Sequence, residues 1–139
     1  MYGLPSRCKP LSAAEEQVLL ALWGCAPATR REVGRRLPGK NWADGTLLTF
    51  LRRLEEKGWV TAAKQGNRNV YAPTVTRRAY CVACMRQRLD TLFDGDLAAA
   101  VRALVSESGA TPTQLAAAAA VIEEKQAQSE EYDSYDSCF

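Results

Sequence analysis

The chain has 139 residues, 47% hydrophobic, with eighteen Lys/Arg, sixteen Asp/Glu and no histidine. This is enough for a core of its own and for one domain of ordinary size with a short extension. No apolar run approaches the ~18 to 20 residues of a membrane helix, which excludes a spanning segment, and the absence of histidine removes the usual general base.

The small net charge of +2 hides an asymmetry: residues 1–88 hold sixteen Lys/Arg against six Asp/Glu, whereas residues 89–139 hold two against ten. A basic half attracts polyanions and an acidic half is repelled by them, so the two ends face different partners. The five cysteines, at 8, 25, 81, 84 and 138, are odd in number and irregular in spacing. They form no disulfide framework, and reduced thiols in the cytosol are expected. "LWGC", Leu22 to Cys25, has the look of a lipoprotein cleavage site, but Glu15 and Glu16 stand where a signal peptide needs positive charge.

A helix-start signal, in which Ser or Thr caps the first free amides and Glu or Gln three residues later reaches back, occurs at "SAAE" (Ser12), "TRRE" (Thr29) and "TPTQ" (Thr111). After Ser12, Val18, Leu19, Leu22 and Trp23 follow helical spacing. A second, short helix starts at Thr29 and ends near "LPG". The third starts near Asp44, with Leu47, Phe50, Leu51 and Leu54 on one stripe and Lys57-Gly58 as a cationic last turn and C-terminal glycine. "WVTAAKQGNRNVYAP" then reads as a β-hairpin turning at "QGN" and ending at Pro73.

Helical spacing returns from Thr76 to about Phe93, with Cys81, Met85, Leu89 and Leu92 along one face. "FDGD" breaks it at Gly95. Leu97, Val101, Leu104 and Val105 mark a fifth helix, and Leu115, Ala118, Ala119 and Ile122 a sixth. The acidic "SEEYDSYDSCF" lacks periodicity and is read as disordered. The fold class is therefore mainly α with a small β-hairpin: a winged helix-turn-helix over residues 1–75, a helical dimerisation region over 76–126 and an acidic tail over 127–139.

In a winged helix-turn-helix the third helix enters the DNA major groove and the hairpin reaches the flanking backbone or minor groove. Thr46, Thr49 and Arg53, at i, i+3 and i+7, lie away from the apolar stripe with Arg52 beside them, where base edges can be met. Arg30 and Arg31 at the start of helix two, Lys40 before helix three, and Lys64 and Arg68 on the hairpin are placed to grip phosphates. A Thr/Arg face taken alone is an ordinary solvated face; element order and one-sided charge turn the reading toward double-stranded DNA. The reading from another class is a winged-helix adaptor in which Gly45 and Leu48 mark a face turned toward a protein.

"LS..E..VL..LW", "AT.REV...L", "W...T..T.L.RL..KG" and "VY.P.V" occur in this order between Leu11 and the end of the wing. The stretch from Leu11 to about Lys125 resembles the penicillinase-repressor (BlaI/MecI/CopY-type) family of transcriptional regulators. The resemblance implies a homodimeric repressor that binds inverted-repeat operators through the winged helix and dimerises through its C-terminal helices. Met85, Leu89, Leu92, Leu97, Val101, Leu104, Leu115 and Ile122 are the candidate dimer contacts. Gly45 and Leu48 depart from the polar or basic residues common there, and Asn67 replaces an arginine after the wing glycine, with Arg68 one place later. The Asn-Phe bond cleaved in antibiotic-resistance members has no match in "AAAVRALVSES", so induction is expected from an upstream sensor or signal of another kind.

Cys81-x-x-Cys84 would place two thiols near one helix face, where a soft metal or a redox change could act, although packing in a helix interface explains it more cheaply. No other motif calls for a cofactor, and no Gly-rich phosphate loop or βαβ redox setting supports an enzyme.

Overall fold

The computed structural model describes residues 3–37, 39 and 42–136. In chain order the elements are α1 (Ala13–Trp23), β1 (Ala28–Thr29), α2 (Arg30–Arg35), α3 (Asp44–Glu56), β2 (Val60–Gln65), β3 (Arg68–Pro73), α4 (Arg77–Phe93), α5 (Leu97–Glu107) and α6 (Pro112–Asp136). They form two compact units, residues 1–88 and 89–139. That division coincides with the change of charge sign and lies inside α4, thirteen residues beyond a boundary after residue 75.

All three helix-start signals form reciprocal caps. Ser12 Oγ accepts from the Glu15 amide at 3.2 Å while Glu15 Oε2 accepts from the Ser12 amide at 3.1 Å. Thr29 and Glu32, and Thr111 and Gln114, repeat the exchange.

The core of the first unit is built from Val18, Leu19 and Leu22 of α1, Val33 of α2, and Leu47, Leu51 and Leu54 of α3, closed by Trp59, Val60, Tyr71 and Tyr80. The stripe read on the third helix is thus the buried one, with Phe50 half-buried at its edge. Gly58 ends α3 at φ 85°, and a Cβ there would lie 2.6 Å from the Arg7 carbonyl oxygen, so both conformation and space demand glycine. β2 and β3 pair antiparallel from Val60↔Pro73 to Gln65↔Arg68, leaving Gly66-Asn67 as a two-residue turn with Gly66 at φ 63°.

The sheet has a third strand that the sequence reading lacks: β1 pairs with β3, Ala28↔Tyr71 and Thr29↔Val70, in the order β1-β3-β2. Two residues carry no alternation, so only the pairing defines the strand.

In α4 the buried residues are Tyr80 and Ala83, with Cys84 packed against the core, while Met85 stands 72% exposed. The ring of Tyr80 meets Trp59 edge-on at 5.2 Å and Trp23 at 5.4 Å, and its hydroxyl donates to the Glu16 carboxylate. Burial, and then the Glu16 and Cys84 hydrogen bonds, push the Tyr80 phenol far above its ordinary range. These contacts tie the first half of α4 to the winged helix.

Glu15 is the one buried charged side chain among the described residues, 3% exposed, and Lys57 Nζ lies 2.6 Å from its Oε2. Burial alone would raise this carboxyl; the Lys57 ammonium, the Ser12 amide and the charge of Arg53 outweigh it and hold the carboxyl below its usual value. A carboxyl depressed on folding adds stability that is complete above the unfolded value of about 4.3 and is lost as pH falls through the folded one. Glu15→Gln is therefore expected to cost about 1 to 3 kcal/mol at pH 7 and to flatten the acid limb of stability below about pH 5, read by urea unfolding across pH. An unchanged acid limb would show that the pair carries no linkage.

In the second unit, Asp94 and Gly95 take positive φ at the break, and Asp96 Oδ1 caps α5 through the Ala99 amide at 3.0 Å. α5 has no buried residue. α6 continues to Asp136, so most of the acidic stretch expected to be disordered is helical. After Pro112 it contains neither glycine nor proline and is rich in Ala, Glu and Gln, so propensity extends the helix where periodicity is absent.

Candidate nucleic-acid interface

Thr46, Thr49, Arg52 and Arg53 are all exposed on α3, opposite Leu47, Leu51 and Leu54. They are not equivalent. Thr49 Oγ1 donates to the Gly45 carbonyl at 2.9 Å, which commits the hydroxyl proton inside the helix. The guanidinium of Arg53 lies 5.8 Å from the centroid of Phe50, and Phe50 packs on Trp42 at 4.9 Å. Arg53 thus leans on an aromatic edge of the helix, within the range of a cation–π contact. Gly45, Leu48, Thr49 and Arg52, spaced i, i+3, i+4 and i+7, run along one line beside it, exposed except for the half-buried Leu48.

A cleft of about 290 Å³ lies between α2, α3 and the wing, lined by Arg30, Arg31, Leu48, Asn67, Arg68 and Asn69 together with Thr29 and Tyr71. Three arginines from two elements therefore line one cleft together with Leu48. β1 fastens the start of α2 to the wing strand β3, which explains how residues forty positions apart reach one cleft. Sequence spacing gives no sign of this convergence; the short strand that creates it was the missed element.

Arg30 Nη1 also lies 3.4 Å from Asp44 Oδ2, so part of its charge is already met within the protein. The amides at the start of α2 that were expected to favour an anion are shared with Thr29 and Glu32, which puts a carboxylate where a phosphate would sit. The attraction of this corner rests on the arginines rather than on the helix end. Lys64 and Arg68 are exposed on the wing strands, near and at its tip. Lys40 lies outside the described residues, as does Cys138.

Among the expected dimer contacts, Met85, Leu92, Leu97 and Leu104 are exposed by 63 to 72%, Ile122 by 49%, and Leu89, Val101 and Leu115 are half-buried. Cys81 and Cys84 are half-buried one turn apart, Cys84 beside the Tyr80 hydroxyl. Among the described residues no three Cys, Asp or Glu side chains gather as a metal site.

No helix among the described residues is long and apolar enough to cross a membrane. Comparison with known proteins finds a curated relative in Latilactobacillus sakei, an uncharacterised 16.5 kDa protein in the ptsI 3′ region, 27% identical over 85 residues. The match takes in 60% of this chain and 56% of that protein, so the chain spans just over half the length of its relative. Among solved structures, BlaI of Bacillus licheniformis, a monomeric form in complex with the blaP half-operator, is 30% identical, with 52% of this chain and 89% of that one covered and a TM-score of 0.45. AbfR of Staphylococcus epidermidis is 22% identical, with 88% and 73% covered and a TM-score of 0.42. The penicillinase repressor family model matches residues 11–124, and with a winged helix in the matching span the chain belongs to the penicillinase repressor family.

Proposed function

We propose that the chain is a homodimeric repressor that binds an inverted-repeat operator, with α3 in the major groove and the wing on the flanking backbone. The observation that carries this reading is the cleft in which Arg30, Arg31 and Arg68 meet beside the exposed face of α3, within a unit holding ten more cations than anions. Arginines on two sides of a reading helix can hold successive phosphates and fix its register on the bases. Thr46, Thr49, Arg52 and Arg53 then meet base edges, while Arg30, Arg31, Lys40, Lys64 and Arg68 meet phosphates. Twofold pairing through the apolar faces beyond residue 76 matches a palindromic site, and a DNA-binding regulator acts where the DNA is, in the cytoplasm.

The test is binding to the DNA upstream of the protein's own gene and to a scrambled duplex, at 50 and 200 mM salt. With some six phosphate contacts, affinity should fall about a thousandfold across that range. Arg68→Ala should weaken both duplexes alike and lower the salt slope by about one, whereas Thr46→Ala should reduce preference for the upstream site. Equal, salt-insensitive binding to both duplexes would replace the repressor with the protein-binding adaptor.

A further inference from the structure

Gly45 has no evident reason within the chain to be glycine. It sits in the first turn of α3 without a positive φ, and among the described residues a Cβ built on it meets nothing within 4 Å. Glycine weakens a helix relative to alanine, so the cost is paid with no return in packing. One turn on, Thr49 commits its hydroxyl proton to the Gly45 carbonyl, so its exposed donor is gone and its methyl group remains. Leu48, half-buried beside both, adds a third apolar wall. With no side chain of its own, Gly45 leaves a notch in the row of side chains on this face of α3, with Leu48 and Thr49 as its uncharged neighbours one turn on.

A guanine contact needs a forked donor, and this notch offers none; a thymine presents a C5-methyl in the major groove that asks only for close apolar contact. Resting on the repressor reading above, we propose that the Gly45–Leu48–Thr49 notch is a seat for the C5-methyl of a thymine, with Gly45 allowing the base edge to approach the helix backbone.

The experiment amplifies the upstream duplex with deoxyuridine in place of thymidine, which removes the methyl and keeps every hydrogen-bonding group. Burial of one methyl is worth about fourfold in affinity, so a twofold site with two seats should lose about fifteenfold on the uracil duplex. Thr49→Ser, which keeps the hydroxyl and its bond to Gly45, should bind the thymine duplex as weakly as the wild type binds the uracil one and discriminate little between them. Gly45→Ala should raise Tm and yet weaken upstream binding by at least tenfold, a pairing that a purely structural glycine would not produce. Wild-type protein that prefers the upstream over the scrambled duplex but binds thymine and uracil forms alike would overturn the seat and leave the repressor reading standing. The same loss on uracil DNA in the wild type and in Thr49→Ser would place the methyl effect elsewhere and also overturn it. Failure to prefer the upstream sequence at all would remove both readings.

Discussion

Replacing Trp59 with alanine is expected to remove about 3 to 5 kcal/mol of stability, the largest loss from a single truncation in the first unit. Trp59 is fully buried immediately after α3, where it joins three parts of the chain. Its ring forms the edge-on contact with Tyr80 of α4, its backbone amide donates to the Leu54 carbonyl, and its Nε1 donates to the Lys9 carbonyl at 2.7 Å. Alanine leaves a large cavity and also a carbonyl at Lys9 without its donor, and neither neighbour can move in without losing its own contacts. Against a total stability of about 5 to 15 kcal/mol this approaches unfolding at 37 °C. Urea unfolding followed by circular dichroism checks it. Trp59→Phe should recover most of the packing but not the Lys9 hydrogen bond, and so fall between the two. A loss below 1 kcal/mol for the alanine variant would mean that the joint between α3, the N-terminal segment and α4 is made elsewhere.

Replacing Leu104 with glutamate is expected to leave the winged helix folded and to lower operator affinity by a hundredfold to ten-thousandfold. α5 is eleven residues long with no buried residue, yet it displays Leu97, Val101, Leu104 and Val105 on one stripe. An isolated helix of that length is marginal in water, and among the described residues Leu97, Leu104 and Val105 of its apolar stripe stay 45 to 64% exposed. If that stripe is the dimer contact, a carboxylate placed in it must be desolvated without a partner, which disfavours association. Two half-site readers that are no longer linked lose the advantage of effective concentration, the source of the expected range. Sedimentation should show a wild-type dimer and a Leu104→Glu monomer, with unchanged spectral signals from Trp23 and Trp59 in the first unit. A variant that stays dimeric and binds its operator as before would assign dimerisation to other residues of the second unit, and a wild-type monomer would remove the proposed dimer.

Both substitutions depend on features with different visibility in the sequence. The caps at Ser12, Thr29 and Thr111 are local: donor and acceptor sit three residues apart, so the residues name the contact. The stripe of Leu47, Leu51 and Leu54 and the Gly58 helix end are local in the same way, and so is the two-residue turn at Gly66-Asn67. The role of Tyr80 was not visible, because the period along α4 favours Met85 and Leu89, and only Trp23 of α1 and Trp59, just before β2, select which face of α4 is buried. The acidic end of α6 shows the opposite limit, where a helix follows from propensity without an apolar face to announce it.

What the sequence by itself determined is the order of the six helices and the wing hairpin, the winged-helix class, the family, the identity of the exposed α3 residues and the division of charge at residue 88. All of these rest on periodicity, caps and composition, which act over a few residues or over the whole chain. Tertiary structure alone decided that β1 pins α2 to the wing, that Arg30, Arg31 and Arg68 converge on one cleft, that Arg53 rests on Phe50, and that Glu15 is buried against Lys57. The physical reason is separation: each of these except the Arg53–Phe50 contact joins residues some forty positions apart, and such a pairing follows from how elements pack rather than from any spacing along the chain.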